Sequence, residues 1–209
     1  MNKETLSYDI LKEIFNLGVG QAANMLSEII NKKIALDVPN IDILDLEKQK
    51  PKIEQYFSAL PTGSLMVSRI AFEEQITGEA NLIFPADKMK RFINLCMHQD
   101  DESEAGMDFT DIDFDIFREI GNIILNSIIG GMGNFLDVSL NYTLPSVKIF
   151  QPADFKQSIE EQNSSYMLML YVTFIIDDAE IDGAVLIDLT LNSLHKVKKL
   201  IRAMEEDLL

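Results

Sequence analysis

Hydrophobic positions recur along the chain with two different periods. Over about 6–30 and 111–136, apolar residues return every three to four positions, which predicts two long helices with one face toward a core. Similar patterns from Pro85 or Ala86 to Met97, and over 191–207, predict two shorter helices.

The segments between these helices are rich in β-branched and aromatic residues, which favour strands. Strands are predicted at 33–38, 41–46, 63–73, 76–84, 138–142, 146–151, 165–176 and 181–189. The longest apolar run, "MLMLYVTFII" at 167–176, is about half a membrane span and fits a buried strand better. The pattern therefore predicts an α/β fold of the α+β type, with a mostly antiparallel sheet flanked by long helices.

A shift of 106 residues superimposes the first half of the chain on the second. The matched pairs are Asp9 with Asp115, Glu13 with Glu119, Asn16 with Asn122, and Pro39 with Pro145. We therefore expect one domain over 1–209, made of two pseudo-symmetric halves at 1–97 and 111–209. The acidic segment 98–110 is expected to be a solvated linker, because it lacks the ligand spacing and turn glycine of a calcium loop.

The repeated polar residues share one face of each long helix. With Asp9 at zero, Glu13 falls at about 40° and Asn16 at about −20° around the axis. The apolar residues beside them are expected to face the core, namely Ile10, Leu11, Ile14 and Leu17, and Ile116, Phe117, Ile120 and Ile123. Any surface helix carries polar residues at such spacing. Asparagine inside a helix is unfavourable, however, and its repetition at one position favours a functional role.

Composition narrows the possible partners. The formal charge of −16 over 209 residues argues against nucleic acid and anionic membranes, both of which need basic surfaces. A single cysteine, Cys96, cannot form an internal disulfide, and the N-terminus lacks the apolar core of a signal peptide. We expect a soluble, cytoplasmic protein without membrane insertion.

Other candidate sites are less specific. Cys96, near the end of an apolar helix, fits a buried small residue better than a nucleophile. His98 and His195 are isolated and form no metal motif. The run "GGMGN" at 130–134 lacks the lysine of a phosphate loop, and it indicates close helix packing or a local helix break. Thr110 and Asp113 resemble a capping box that opens the second long helix.

The spacing Asp/Ser-x3-Glu-x2-Asn-x22-Pro, present twice, resembles the signature of the CheC/CheX/FliY phosphatases of chemotaxis. The glycine- and alanine-rich stretch "NLGVGQAANMLSEI" at 16–29 also resembles this family. The resemblance covers nearly the whole chain and is nearest to the CheC-type members. It implies a CheC-like fold with long motif-bearing helices packed on an antiparallel sheet.

The resemblance also implies an activity and its residues. The substrate would be a phosphorylated CheY-type response regulator, which brings its own Mg²⁺ and lysine, so no cofactor or metal of the chain's own is expected. Asn16 and Asn122 would orient the attacking water, and Glu13 and Glu119 would pair with the regulator's lysine. The supporting residues would be Asp9 and Asp115, for helix position or docking, and the structural prolines Pro39 and Pro145.

Two non-catalytic roles stay open beside this hydrolase activity. The chain could be an adaptor that binds the receptor deamidase CheD or phosphorylated CheY. A structural role in the flagellar switch is less favoured, because no switch domain follows Leu209. The sequence leaves open whether the two copies of the motif are equally active.

Overall fold

The computed structural model describes residues 3–38, 41–45, 63–97, 108–161, 166–176 and 179–207. Most of the predicted linker (98–107), His98 and Pro39 lie outside these ranges. Among the described residues, none of the helices combines the length and apolar character needed to cross a membrane.

Five helices are described, and four of them were predicted from the apolar periodicity. They are α1 (Lys3–Ile30), α2 (Ala86–Cys96), α3 (Asp111–Phe135), α4 (Pro152–Glu160) and α5 (Leu191–Asp207). Helix α4, which follows β6 directly, was not predicted from the sequence. Its signals are the proline at its first position and the buried pair Phe155 and Ile159, one turn apart.

Eight strands form one sheet in which every described pairing is antiparallel. They are β1 (Ile34–Asp37), β2 (Ile41–Asp45), β3 (Leu65–Glu74), β4 (Gly78–Pro85), β5 (Leu140–Tyr142), β6 (Ser146–Phe150), β7 (Tyr166–Ile176) and β8 (Ala179–Leu189). The predicted fold class, a mixed α/β protein with an antiparallel sheet, is confirmed. The apolar run at 167–176 is a strand, β7, as expected.

The strand order is β1-β7-β8-β4-β3-β5, with β2 also on β7 and β6 also on β3. The short strands β1 and β2 therefore pair with a strand from the second part of the chain, whereas β5 and β6 pair with a strand from the first. The centre of the sheet is the β4–β8 pairing. Because each part supplies edge strands to the other, the two parts share one sheet.

The sheet has an apolar layer on each face. The larger core lies under α1, α2, α3 and α5, with sheet residues such as Met66 and Leu168. The neighbouring residues Val67 and Met169 point to the opposite face, where they pack with Phe155 of α4. The two long helices thus lie together on the face of the sheet away from α4.

The start of α3 is fixed by the capping box expected from the sequence. Thr110 accepts a hydrogen bond from the Asp113 backbone N–H, and Asp113 Oδ2 accepts one from the Thr110 backbone N–H at 2.6 Å. Lys90 of α2 donates to the same Oδ2 atom at 2.5 Å. Burial alone would raise the pKa of Asp113, but the hydrogen bonds from Lys90 and Thr110 hold it below its usual value. The cap therefore also ties α3 to α2.

Helices α1 and α3 cross at small residues. A Cβ atom on Gly18 would lie 2.7 Å from the backbone oxygen of Ser127, and one on Gly131 would lie 3.6 Å from Gly18 Cα. The "GGMGN" run at 130–134 is helical throughout, so the alternative of a local helix break is wrong. These glycines allow the two helix backbones to approach closely.

Candidate functional site

The two copies of the polar stripe have the same gradient of exposure. On α1, Asp9 and Glu13 are exposed and Asn16 is half-buried. On α3, Asp115 and Glu119 are exposed and Asn122 is half-buried. Each asparagine therefore lies at the inner end of its stripe, with carboxylates extending outward from it along the helix surface. A partner that reached the asparagine would also meet the glutamate, one turn away.

One residue expected in the core is exposed. Leu17 is 59% exposed, whereas its equivalent on α3, Ile123, is only 6% exposed. Both lie at the edge of the apolar face, so neighbouring side chains decide their burial. Gln21 and Met25 of α1 share a groove with Ile123, whereas the equivalent α3 positions are a serine and a glycine. These small residues leave Leu17 uncovered beside the α1 copy of the motif.

A groove of about 280 Å³ lies between α1 and α3 at the second copy of the motif. Glu119 and Asn122 both line it, so the structure brings these two predicted residues together. The other lining residues are Gln21, Met25, Ile123, Asn126, Ser127, Gly130, Gly131 and Asn134. These residues were not predicted as part of a site. Gln21 and Met25 reach the groove only because the two helices cross, whereas the others lie on α3 outside the repeated motif.

Asn122 has a hydrogen-bond partner that the motif does not include. Asn126, one turn further along α3, donates from Nδ2 to Asn122 Oδ1 at 2.7 Å. Outside the groove, Arg118 Nη1 forms an ion pair with Asp115 Oδ1 on the exposed surface of the same helix. Because both partners are exposed, this ion pair contributes little to stability.

Of the two motif prolines, only Pro145 is described. It is buried between β5 and β6 and is not among the groove-lining residues. A structural role suits this position, because a buried proline leaves no backbone N–H to satisfy. Pro39 lies outside the described residues.

Cys96 and His195, the other candidates that the structure describes, are not among the groove-lining residues. In the described part of the chain, no cluster of three or more acidic, histidine or cysteine residues could hold a metal ion. Burial raises the pKa of Cys96 to about 11, against a smaller lowering by Lys32, so its thiolate is scarce near neutral pH. His195 is exposed on α5.

A separate polar cluster lies on the opposite face of the sheet, under α4. Arg69 Nε donates to Asn81 Oδ1 at 2.6 Å and lies 3.1 Å from Glu79 Oε1, and Arg69 Nη2 donates to Ser158 Oγ. Asp188, paired in register with Glu79, is 1% exposed, and its carboxylate oxygens have no hydrogen-bond partner among the described residues. Burial, and then the nearby Glu79, raise the pKa of Asp188 to about 7, although Arg69 acts in the opposite direction.

The chain is similar to proteins of known family and structure. The model of the CheC-like family matches residues 6–43, a span that holds the first copy of the motif through Pro39. The chain is also similar to the CheY-P phosphatase CheC of Bacillus subtilis (strain 168), with 23% identity over 143 residues. That alignment covers 68% of this chain and 65% of the relative, slightly less than two thirds of the relative's length.

Two solved structures share the fold over nearly their whole length. FliY of Thermotoga maritima superimposes with a TM-score of 0.74 at 18% identity, covering 97% of this chain and 98% of FliY. FliM of H. pylori, solved in a complex with SpeE, gives a TM-score of 0.67 at 13% identity, with 97% of each chain covered. The chain is therefore similar to the CheC-like family over residues 6–43, and it shares its fold with FliY and FliM.

Proposed function

We propose that this protein is a phosphatase that removes the phosphoryl group from the aspartate of a CheY-type response regulator. The observation that carries the proposal is the duplicated stripe, with an exposed glutamate and a half-buried asparagine at equal spacing on both long helices. The similarity to a protein named CheY-P phosphatase CheC supports it.

The asparagine would position water for hydrolysis. Phosphoryl transfer passes through a loose, in-line transition state in which positioning and charge stabilisation dominate. An amide suits the task because it both accepts and donates hydrogen bonds and does not titrate. Asn16 and Asn122 are half-buried beside open surface, so a regulator docked on either helix could enclose the asparagine and its water.

The glutamates would hold the regulator in place. Glu13 and Glu119 are exposed, and each lies one turn from its asparagine, so a lysine at the regulator's phosphorylation site could reach the carboxylate. The magnesium ion would arrive with the substrate, bound in the regulator's own acidic pocket. On this proposal the chain supplies the water-orienting amide and a docking anion, and the regulator supplies the rest.

The test is dephosphorylation of a phosphorylated CheY-type regulator by an Asn16→Ala/Asn122→Ala variant. We expect the regulator to lose phosphate at its own intrinsic rate with this variant, and faster with the unsubstituted protein. The matched control is Asn24→Ala/Asn192→Ala, which removes two exposed helical asparagines elsewhere. Full activity of the double motif variant, with its circular dichroism unchanged, would refute the assignment.

A non-catalytic adaptor is the second candidate, because the same fold occurs in a FliM that was solved in complex with another protein, SpeE. In this role the chain would bind phosphorylated CheY or the deamidase CheD without hydrolysing phosphate. Binding measured by calorimetry, together with phosphate release from the same mixtures, separates the two roles. Complex formation without faster phosphate release would favour the adaptor.

A further inference from the structure

The second copy of the motif contains an amide pair that the first copy lacks. Asn126 donates from Nδ2 to Asn122 Oδ1 at 2.7 Å, and both side chains line the groove with Glu119. The residue equivalent to Asn126 on α1 is Gly20, which has no side chain to donate. The two copies therefore differ directly beside the asparagine proposed to orient water.

This hydrogen bond selects one orientation of the Asn122 amide. The terminal torsion of asparagine has two broad, roughly equivalent positions that exchange the oxygen and the nitrogen. A donor on the Asn126 side favours the position that places the Asn122 oxygen there. That oxygen has a second lone pair, which stays available to accept a hydrogen bond from water.

The pair is poorly explained as a stabilising contact alone. The Oδ1 atom of Asn126 is buried and has no hydrogen-bond partner among the described residues. Burying an acceptor without a partner opposes folding, so much of the benefit of the bond to Asn122 is offset. Replacement of Asn126 by a smaller residue should therefore leave the fold intact.

We propose that Asn126 is a positioning residue that fixes the Asn122 amide for catalysis and makes the α3 copy the faster of two unequal sites. This inference rests on the proposed phosphatase function. Asn126 acts through Asn122 by fixing where the water-accepting oxygen lies, and it need not touch the phosphoryl group. The α1 copy has a glycine at the matching position, so its Asn16 must be ordered by the docked regulator.

The experiment uses single-site backgrounds in the full chain. In the Asn16→Ala background only the α3 copy is left, and there Asn126→Gly should lower kcat about five-fold, the loss expected for one hydrogen bond. The KM for the phosphorylated regulator should change less than two-fold, because the docking glutamate is untouched. A five-fold rise in KM with kcat unchanged would overturn the positioning role.

The reciprocal substitution tests for a gain in kcat, which a purely structural residue would not produce. In the Asn122→Ala background, Gly20→Asn should raise kcat of the α1 copy about five-fold. Position 20 can carry a Cβ atom, because one built on Gly20 would face open space. Gly20→Ala in the same background is the control and should leave kcat unchanged, since it adds a methyl group without a donor.

A readout independent of activity separates this inference from the proposed function. Relaxation of the Asn122 side-chain ¹⁵N should show an ordered amide in the unsubstituted protein and a mobile one in Asn126→Gly. If the unsubstituted protein does not accelerate dephosphorylation, the proposed function fails, although the amide is still ordered. If it does accelerate it, but Asn126→Gly changes neither kcat nor amide order, the inference about Asn126 fails alone.

Discussion

At the scale of single residues, the charged and the amide side chains of the motif differ in their exposure. The glutamates Glu13 and Glu119 are exposed, and the asparagines are half-buried at the inner end of the stripe. An exposed carboxylate is mobile and well hydrated, which suits attraction of a cation on a partner. A half-buried amide has fewer positions available, which suits water orientation. The two residue types should therefore affect different kinetic parameters.

We predict that Glu13→Gln/Glu119→Gln raises KM for the phosphorylated regulator about thirty-fold, because a charge pair enclosed by an interface contributes roughly 2 kcal/mol. The kcat should fall much less. Raising the salt concentration should weaken binding of the unsubstituted protein more than binding of this variant. Steady-state kinetics at two ionic strengths test this.

The control for this charge prediction is Glu28→Gln/Glu180→Gln, which removes two exposed carboxylates outside the motif. It should leave KM within about two-fold, because isolated exposed charges interact weakly with a distant partner. An equal rise in KM for both variants would show that total negative charge, rather than the motif, attracts the regulator.

At the scale of elements, the two long helices end in a similar backbone conformation. Asn31 follows α1 with φ 55°, and Asp137, its equivalent after a shift of 106 residues, follows α3 with φ 51°. Val138 donates to the Gly133 backbone oxygen and Asp137 donates to that of Asn134, which together form a Schellman motif. Each helix therefore ends with a residue in the left-handed region.

Asp137→Gly should stabilise the protein by up to about 1 kcal/mol, because glycine adopts the left-handed region without the cost of a Cβ atom. Asp137→Ala should be less stable than Asp137→Gly, since alanine pays that cost. Urea denaturation of the three proteins measures the order. Equal stability of the alanine and glycine variants would contradict the left-handed conformation as the cause.

The position of α3 on the sheet depends on Gly121, which precedes Asn122. A Cβ on Gly121 would lie 2.1 Å from Ser68 Oγ and 2.5 Å from Ser68 Cβ. Gly121→Ala should therefore destabilise the protein by about 1–3 kcal/mol and move Asn122 from its place in the groove. Thermal denaturation and kcat of the α3 copy alone, in the Asn16→Ala background, test both effects.

The matched control for this packing prediction is Gly20→Ala. Because that site is open, the substitution should leave the protein as stable or stabilise it by up to about 1 kcal/mol, as alanine favours a helix. If both alanine variants gain stability, helix propensity outweighs any clash at Ser68, and the packing argument is wrong.

The elements that the sequence predicted are those with a strong local signal. The periodicity of α1 and α3 and the apolar run of β7 identify them without knowledge of their neighbours. Helix α4 was missed because it has only two buried residues with helical spacing. The exposure of Leu17 could not be predicted, because it depends on which side chains the crossing of α1 and α3 brings together. The Asn126–Asn122 hydrogen bond joins residues one turn apart on α3, so its signal was the i, i+4 spacing of two asparagines, which lies outside the repeated motif.

At the scale of the whole molecule, the two faces of the sheet carry different polar groups. The face under α1 and α3 carries the motif, and the face under α4 buries Asp188 at the central β4–β8 pairing. A buried carboxyl group without hydrogen bonds favours its protonated form. Its titration is therefore linked to the stability of the whole sheet rather than to one helix.

Asp188 should make the protein less stable as the pH rises. Its pKa is raised from 3.8 to about 7 in the fold by burial and by Glu79, so between these values the folded state binds the extra proton. The contribution of Asp188 to the free energy of unfolding is therefore greatest below about pH 4. It decreases as the pH rises from about 4 to about 7 and changes little above that. Each pKa unit corresponds to about 1.4 kcal/mol, so the total loss amounts to several kcal/mol.

The variant Asp188→Asn removes this titration while keeping the side-chain shape. We expect it to be more stable than the unsubstituted protein at pH 8, with a smaller difference at pH 5, in urea denaturation. The control is Asp182→Asn, on the same strand but exposed, which should be as stable as the unsubstituted protein at both pH values. If Asp188→Asn lowers stability equally at both pH values, then Asp188 is ionised and paired in the fold. An ionised Asp188 would pair with Arg69 and so link β8 to β3. With a neutral Asp188, Glu79 and Asn81 would be the partners of Arg69.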